Sequence, residues 1–575
     1  MDLRLACIAI AGTAAAQAFA GGVAFTDVSA ASGLSGFTHA PNFAAVPGLN
    51  EWTMGGFGIA DFNGDGWPDI FVPRGGTGTD RLYINRGDGT FVNEAVARGV
   101  AVAHAGNGVS CADFDRDGDS DIYVTSYGQA TDNLGQVGRH RLYRNDGAVF
   151  TEIAAAVGVN ATSSSVSCGN GSAWGDYDLD GDLDLFVASW TQAAQGNRLF
   201  RNDGAAFTDV TGAAITVPNS WGFQPAFCDM DGDGYPELLL AADFETSQYW
   251  RNERDGTFML RTVLSGTGID DNGMGHCVAD FDRDGRPDWY VTSVHMDVPN
   301  PGDWTGNALY LNQGAGTFAE ASVARGCNDG GWGWGAVAAD LDQDGWEEIV
   351  EVNGRNASEW ASEQEYVFRN DGGSFVRLGA ETGIALAADT RCVGTLDYDR
   401  DGDLDLVMLV NAGALKLFRN DGAAGRSVML DLAAGPASRC APHGLGAVVE
   451  AVVAGQVVRR HVHSGGGYQS SSEPVVHLGI GAAKQVDELR VLWPSGQTTR
   501  LTQVPAGSRL ALAAPDAADL DADGAVGLTD LGLVLEAWGG SNSADRTMRR
   551  ADVDGSGRVG AGDLAAVLAR WTQGW

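Results

Sequence analysis

Residues Asp61–Asp69 read DFNGDGWPD, and this nine-residue pattern returns six more times. It recurs as Asp113–Asp121 (DFDRDGDSD), Asp176–Asp184 (DYDLDGDLD), Asp229–Glu237 (DMDGDGYPE), Asp280–Asp288 (DFDRDGRPD), Asp340–Glu348 (DLDQDGWEE) and Asp397–Asp405 (DYDRDGDLD). Successive starts lie 52, 63, 53, 51, 60 and 57 residues apart, so the chain is a repeat protein. Oxygen-bearing side chains at positions 1, 3 and 5, glycine at 6 and a carbonyl at 7 make the front half of an EF-hand loop, closed here by a carboxylate at position 9 rather than 12. The candidate ligands are Asp61, Asn63, Asp65 and Asp69; Asp113, Asp115, Asp117 and Asp121; Asp176, Asp178, Asp180 and Asp184; and Asp229, Asp231, Asp233 and Glu237. The series continues with Asp280, Asp282, Asp284 and Asp288; Asp340, Asp342, Asp344 and Glu348; and Asp397, Asp399, Asp401 and Asp405. Such a cage suits a hard cation, Ca²⁺ ahead of Mg²⁺ because the loop is flexible; zinc would demand His or Cys.

Each loop is followed by a β-rich run such as Ile70-Phe71-Val72 or Ile122-Tyr123-Val124, not by a helix. Next comes an aromatic-then-turn motif ending in Asn: Asn85, Asn145, Asn202, Asn252, Asn312, Asn370 and Asn420. A further strand then opens at Phe91, Phe150, Phe207, Phe258, Phe318 and Phe375. Four short antiparallel strands in about 50 residues form one propeller blade, and the ring must then close. The seventh unit has no such Phe-led strand of its own, whereas Phe25-Thr26-Asp27-Val28 precedes the first loop with no unit before it. Residues 25–28 are therefore expected to complete the last blade.

Composition agrees. The chain has 575 residues, too many for one compact domain, and 82 are Gly, which points to many turns between short strands. There are 75 acidic against 37 basic residues, a net charge of −38 that disfavours nucleic acid or an anionic membrane. Nine bound Ca²⁺ (seven repeat loops and two near the C-terminus) would bring −38 to −20. At the N-terminus, Leu5–Ala16 is apolar or small and Ala18-Phe19-Ala20 precedes Gly21, the pattern of a cleaved signal peptide. Cys7 would leave with it; the remaining Cys111, Cys168, Cys228, Cys277, Cys327, Cys392 and Cys440 predict some disulfides, with at least one thiol unpaired.

The repeats resemble the FG-GAP/VCBS repeats of integrin-α-type propellers. Beyond them, Gly444–Glu450, Gly465-Gly466-Gly467-Tyr468, His477-Leu478-Gly479-Ile480-Gly481 and Val491–Gly496 resemble the ASPIC/UnbV domain of the cartilage acidic protein family of secreted proteins. The chain departs from that pattern where Arg439-Cys440 replaces an asparagine-led entry. His461, His463 and His477 lack a clear further metal ligand and read as surface histidines. Near the C-terminus, Asp519, Asp521 and Asp523 close with Asp530 at position 12, and Asp552, Asp554 and Ser556 close with Asp563, at an offset of 33. The stripes Leu531, Val534, Leu535, Trp538 and Leu564, Val567, Leu568, Trp571 predict one buried face per helix. This pair resembles a type I dockerin module, although Gly527 and Gly560 stand where such modules carry Asn; the resemblance implies a cohesin-like partner.

The expected architecture is thus all-β: a signal peptide (1–20), a seven-bladed β-propeller (21–425), a small β domain (426–513) and a helical, dockerin-like paired calcium-loop module (514–575). The expected function is a secreted, calcium-stabilised module that binds protein or glycan on the propeller face opposite the loops. Trp52, Trp221 and Trp332, eight or nine residues before their loops, are candidates to rim that face; packing between blades competes as a role for these and for Trp174 and Trp334. No acid, base and charge stabiliser converge in the sequence, so no catalytic residue is assigned; the alternatives are a calcium-dependent polysaccharide lyase and a structural scaffold component. Arg86-Gly87-Asp88, an integrin-ligand tripeptide, occupies the turn used by every repeat and reads as a turn.

Overall fold

The computed structural model describes residues 22–41, 53–76, 78–126, 139–160, 169–191, 196–218, 220–296, 306–355, 360, 363–384, 386–541 and 546–571. The expected signal peptide, Trp52 and Cys168 lie outside these residues.

Among the described residues the repeats form seven four-stranded antiparallel sheets. Sheet 1 comprises Gly58–Ala60, Asp69–Val72, Arg81–Asn85 and Phe91–Asn93. The first strands of sheets 2 to 7 are Gly106–Ala112, Gly169–Gly175, Ser220–Cys228, His276–Ala279, Gly333–Ala339 and Thr390–Leu396. Trp190 and Thr191 pair with Trp221 and Ser220, so the hydrogen bonding of sheets 3 and 4 is continuous. Apolar side chains of consecutive sheets interleave: Ile122, Val124 and Tyr143 of sheet 2 pack on Phe71, Leu82 and Ile84 of sheet 1. This is an all-β, propeller-like arrangement, with the first strand of each sheet innermost.

The ends of the array meet as the sequence predicts. Phe25–Asp27 pairs antiparallel with Leu415–Asn420, Phe25 facing Asn420 and Asp27 facing Phe418. Gly383 (φ 88°) packs against the carbonyl of Phe25 so closely that a Cβ could not fit. Deleting residues 22–28 should remove the buried Phe25 and expose the edge of Leu415–Asn420. The expected result is a lower Tm and aggregation on size-exclusion chromatography; wild-type behaviour would show that this edge is protected in another way.

The C-terminal β domain has one sheet in which Ser427–Ala433 pairs with Val476–Gly479 and, in parallel, with Arg509–Ala513. Its other sheet has the order Gln456–His461, Val448–Val453, Gln485–Leu492, Thr498–Pro505. Val449, Leu478, Leu489, Val491 and Trp493 fill the space between. This domain sends residues 464–473 through the centre of the seven sheets. Ser471 N–H donates to Phe57 O of sheet 1 at 3.0 Å, Val109 N–H of sheet 2 donates to Gln469 O at 2.9 Å, and Gln469 Nε2 donates to Asn170 Oδ1 of sheet 3 at 2.9 Å. Ser464 and Gly465 pair with Phe227 and Ala226 of sheet 4, while Gly467 N–H donates to His276 O of sheet 5 (2.7 Å) and Ala336 O of sheet 6 (3.0 Å). Glu473 N–H donates to Thr395 O of sheet 7 at 2.9 Å. Tyr468, fully buried, lies against Phe223 and Trp334 and donates to Thr53 O at 2.8 Å. The centre of the ring is therefore filled by a strap from the next domain.

Beyond it lie helices Leu528–Glu536, Arg546–Ala551 and Ala561–Ala569. The expected buried stripes hold only in part: Val534 and Val567 are fully buried, whereas Leu535, Trp538 and Leu568 are about half exposed. Helices this short share a small core with Leu520, Val526, Val553 and Val559 of the loops, which leaves the outer stripe positions uncovered.

Candidate metal centres

All nine loops share one backbone shape. Position 4 is left-handed throughout, as Gly64, Arg116, Leu179, Gly232, Arg283, Gln343, Arg400, Ala522 and Gly555, with φ between 56° and 80°. Glycine follows at position 6 with φ between 78° and 100°, a region that costs other residues strain. The turn aims the glycine N–H at the first carboxylate: Gly66 at Asp61 (2.7 Å), Gly181 at Asp176 (3.0 Å), Gly285 at Asp280 (2.9 Å), Gly524 at Asp519 and Gly557 at Asp552 (both 2.9 Å). The position-7 N–H donates to the carboxylate at position 5, for example Trp67 to Asp65 and Tyr235 to Asp233, both at 2.9 Å.

These contacts gather the predicted side chains. Carboxylate oxygens of Asp113, Asp115 and Asp121, of Asp176, Asp178 and Asp184, of Asp229, Asp231 and Glu237, of Asp280, Asp282 and Asp288, and of Asp340, Asp342 and Asp344 lie within 4.8 Å of one another. Several inward oxygens have no hydrogen-bond partner although buried: Oδ1 of Asp176, Asp178, Asp280, Asp397, Asp399 and Asp552. Unsatisfied anionic oxygens are costly, and a hard cation is the group that fits them. In the last loop Ser556 is exposed, its hydroxyl donating to Arg558 O at 3.1 Å.

The position-9 carboxylate has a further job. Asp69 Oδ2 accepts Phe62 N–H (3.0 Å) and Oδ1 accepts Asn85 N–H (2.8 Å), and the same pair of bonds recurs at Asp121, Asp184, Glu237, Asp288, Glu348 and Asp405. The Asn thus held reaches the neighbouring sheet. Asn145 Nδ2 donates to Phe62 O, Asn202 to Phe114 O, Asn252 to Tyr177 O, Asn312 to Met230 O, Asn370 to Phe281 O and Asn420 to Leu341 O, at 2.7–3.2 Å. Asn85 completes the circle on Tyr398 O at 2.9 Å. These seven bonds tie every loop to the next at one end of the sheets. The sequence carried the signal in the seven Asn that end the aromatic motif, but not the role.

Burial raises three carboxyls of these loops when no cation neutralises them: Asp113 to about 6, Asp280 to about 7 and Asp69 to about 8. An unfolded Asp titrates near 4. The folded state then binds more protons than the unfolded one between about pH 4 and 8, so stability falls as pH rises through that window. In chelator the Tm should be higher at pH 5 than at pH 8; the opposite slope would show that these carboxyls ionise freely.

Two further expectations change. Cys111, Cys228, Cys277, Cys327, Cys392 and Cys440 are free thiols rather than disulfide partners. Four of them sit on first strands of four different sheets, where Cys228, Cys277 and Cys392 are buried and Cys111 is half-buried. Of the three expected surface histidines, His477 is buried and His461 and His463 are half-buried, because the β domain docks on the loops. His463 Nε2 bonds Val278 O at 3.1 Å, and burial pushes His461 and His477 down to about 3. Arginines fasten that docking: Arg459 donates to Gly285 O at 2.9 Å and, from the C-terminal helices, Arg549 donates to Asp233 O at 2.7 Å. Trp174 and Trp334 are buried, whereas Trp221 and Trp332 are half-buried; Trp221 pairs with Trp190 (centroids 4.5 Å apart) and Trp332 with Trp360 (4.8 Å). The Arg86-Gly87-Asp88 turn closes on Thr90, whose N–H donates to Asp88 at 3.1 Å.

Comparison with known proteins matches this geometry. The FG-GAP-like repeat model matches residues 37–124, 176–240, 229–291 and 297–351, which include six of the seven repeat loops. The ASPIC and UnbV model matches residues 437–519, which contain the strap. Cartilage acidic protein 1 of Mus musculus is 26% identical over 493 residues, covering 77% of this chain and 70% of the mouse protein. The Homo sapiens protein of that name is 31% identical over 210 residues (34% and 30%), and the Xenopus tropicalis one 31% over 213 residues (35% and 30%). The chain is accordingly similar to cartilage acidic protein 1, with stretches that match the FG-GAP-like repeat model followed by one that matches the ASPIC and UnbV model.

Proposed function

We propose that the protein is a secreted, calcium-binding seven-bladed propeller that acts as an extracellular adhesion-type module, not as an enzyme, and that its C-terminal loop pair is a dockerin-like EF-hand module. The observation that carries the calcium reading is the common shape of the nine loops, four of which hold buried carboxylate oxygens without a partner. Homology to cartilage acidic protein 1 and the apolar N-terminal segment support an extracellular place. Among the described residues no helix is long and apolar enough to cross a membrane.

The ligand is a protein or a glycan held on the face opposite the loops. Trp221 is the second residue of the first strand of sheet 4, and Trp332 immediately precedes that of sheet 6; both stand at the end of the sheets away from the loops. With Trp190, Trp360 and the exposed Phe244 they offer flat aromatic surface for sugar rings or apolar side chains. A glycan-array and pull-down screen with calcium-loaded protein tests this. The double variant Trp221→Ala/Trp332→Ala should lose at least about tenfold in affinity, the cost of one good stacking contact, with unchanged Tm. Undiminished binding would move the ligand elsewhere, and turnover of uronic-acid polysaccharide would replace the binding reading with a lyase.

A further inference from the structure

The loop Asp340–Glu348 differs from its siblings in what its first carboxylate touches. In the loops starting at Asp176 and Asp280, one oxygen of that carboxylate accepts the position-6 glycine N–H and the other is left without a partner; Asp397 likewise leaves Oδ1 unpartnered. Asp61, Asp113, Asp229 and Asp519 have both oxygens bonded, but only to N–H groups of their own loops; Asp340 is engaged from outside its loop as well. Oδ1 accepts Gly345 N–H at 3.2 Å, while Oδ2 accepts Arg460 Nη2 at 2.9 Å and Gly479 N–H at 3.0 Å. Both outside donors come from the C-terminal β domain.

The guanidinium is held firmly. Its side chain is 10% exposed, Nη1 lies 3.5 Å from Glu347 Oε2, Nη2 also reaches Gly345 O at 3.4 Å, and Nε donates to His477 O at 3.1 Å. Glu347 stands at position 8, where the other six repeat loops carry Pro68, Ser120, Leu183, Pro236, Pro287 and Leu404. An acid there serves no cation inside the loop but serves a guanidinium outside it. Gly479 is so close to Asp340 that a Cβ could not fit, which explains the glycine in His477-Leu478-Gly479. A second guanidinium, Arg283, lies over Trp346 at 4.0 Å and donates to Asp344 O at 3.2 Å.

We infer that Arg460 takes the place of the metal ion in the Asp340–Glu348 loop, which is a metal-free, arginine-filled site that fastens the β domain to the ring. The inference rests on the calcium reading of the other loops. The carboxylates of Asp340, Asp342 and Asp344 still gather within 4.8 Å. A divalent ion among them would stand beside a buried guanidinium that is already hydrogen-bonded to the best ligand, and like charges at that range repel strongly. Arg509 approaches Asp397 more loosely, at 3.7 Å, binds Asp431 and Glu473 instead, and leaves Asp397 Oδ1 without a partner.

Counting bound calcium per full-length chain by equilibrium dialysis and elemental analysis decides the matter. Asp280→Asn should lose one ion, Asp340→Asn should lose none, and Arg460→Ala should gain one. Loss of an ion in Asp340→Asn, or an unchanged count in folded Arg460→Ala, overturns the inference while leaving the calcium reading of the other loops intact. If Arg460→Ala does not fold, the two Asn variants decide alone. Wild-type protein that binds no calcium overturns the calcium reading and this inference together.

Discussion

Excess chelator should lower the melting temperature of the protein by roughly 20 °C, and Ca²⁺ should restore it better than equimolar Mg²⁺. The size of the effect follows from linkage. Each site filled at a hundred times its Kd adds ~2.7 kcal/mol, and in a unit this long ~1 kcal/mol shifts Tm by about 1 °C. Stripped of cations, the loops keep buried carboxylates side by side, Asp176 with Asp178 and Asp397 with Asp399, each with an oxygen lacking any partner. The damage should spread, because every position-9 carboxylate also holds the Asn that bonds the next sheet. Differential scanning fluorimetry with and without chelator checks this, and an unchanged curve would remove calcium from the account of stability.

The second large effect is expected at the strap. Tyr468→Ala should destabilise the protein by about 3–5 kcal/mol, as large-to-small changes at fully buried aromatics do. It removes the ring packed on Phe223 and Trp334 and the bond to Thr53 O. Replacing residues 464–473 by a Gly-Ser linker of equal length should do more, abolishing a single cooperative transition in urea. The replacement loses the Gln469 side chain that reaches Asn170 of sheet 3 together with the Tyr468 ring, and leaves the strap's backbone bonds, such as Gly467 to His276 and Ala336, to a chain with no packed side chain to hold it in register. Wild-type-like melting of both variants would show that the centre of the ring is stable without its filling.

Much of this was legible in the sequence, for physical reasons. Asp at 1, 3 and 5 with Gly at 6 is a local signal, since one short turn must supply both ligands and backbone shape. The closing strand was legible because a missing Phe-led strand at one end matched a surplus one at the other. The strap was not. Gly465-Gly466-Gly467-Tyr468 has no periodicity, and its partners are spread over more than 300 residues. Glycine itself was read only as turns. Gly56, Gly108 and Gly275, on or beside first strands, have another cause: a Cβ there would strike the backbone of a neighbouring sheet or of the strap. His461, His463 and His477 looked like surface residues because nothing local foretold that the β domain would cover them. The cysteines misled because an expected signal peptide favours disulfides, whereas the described thiols are free and all but Cys111 are buried.

The strap also sets a timetable for the newborn chain. Phe25, among the first described residues to be made, must wait for Asn420 before it finds its partner, and Gly467 must follow before the middle of the ring is filled. Contacts of such long sequence separation form slowly, and the waiting state leaves strand edges and apolar faces uncovered. The seven sheets therefore cannot mature one by one as they emerge during synthesis. They assemble provisionally, and almost the whole chain must be present before the first and last parts seal the structure together.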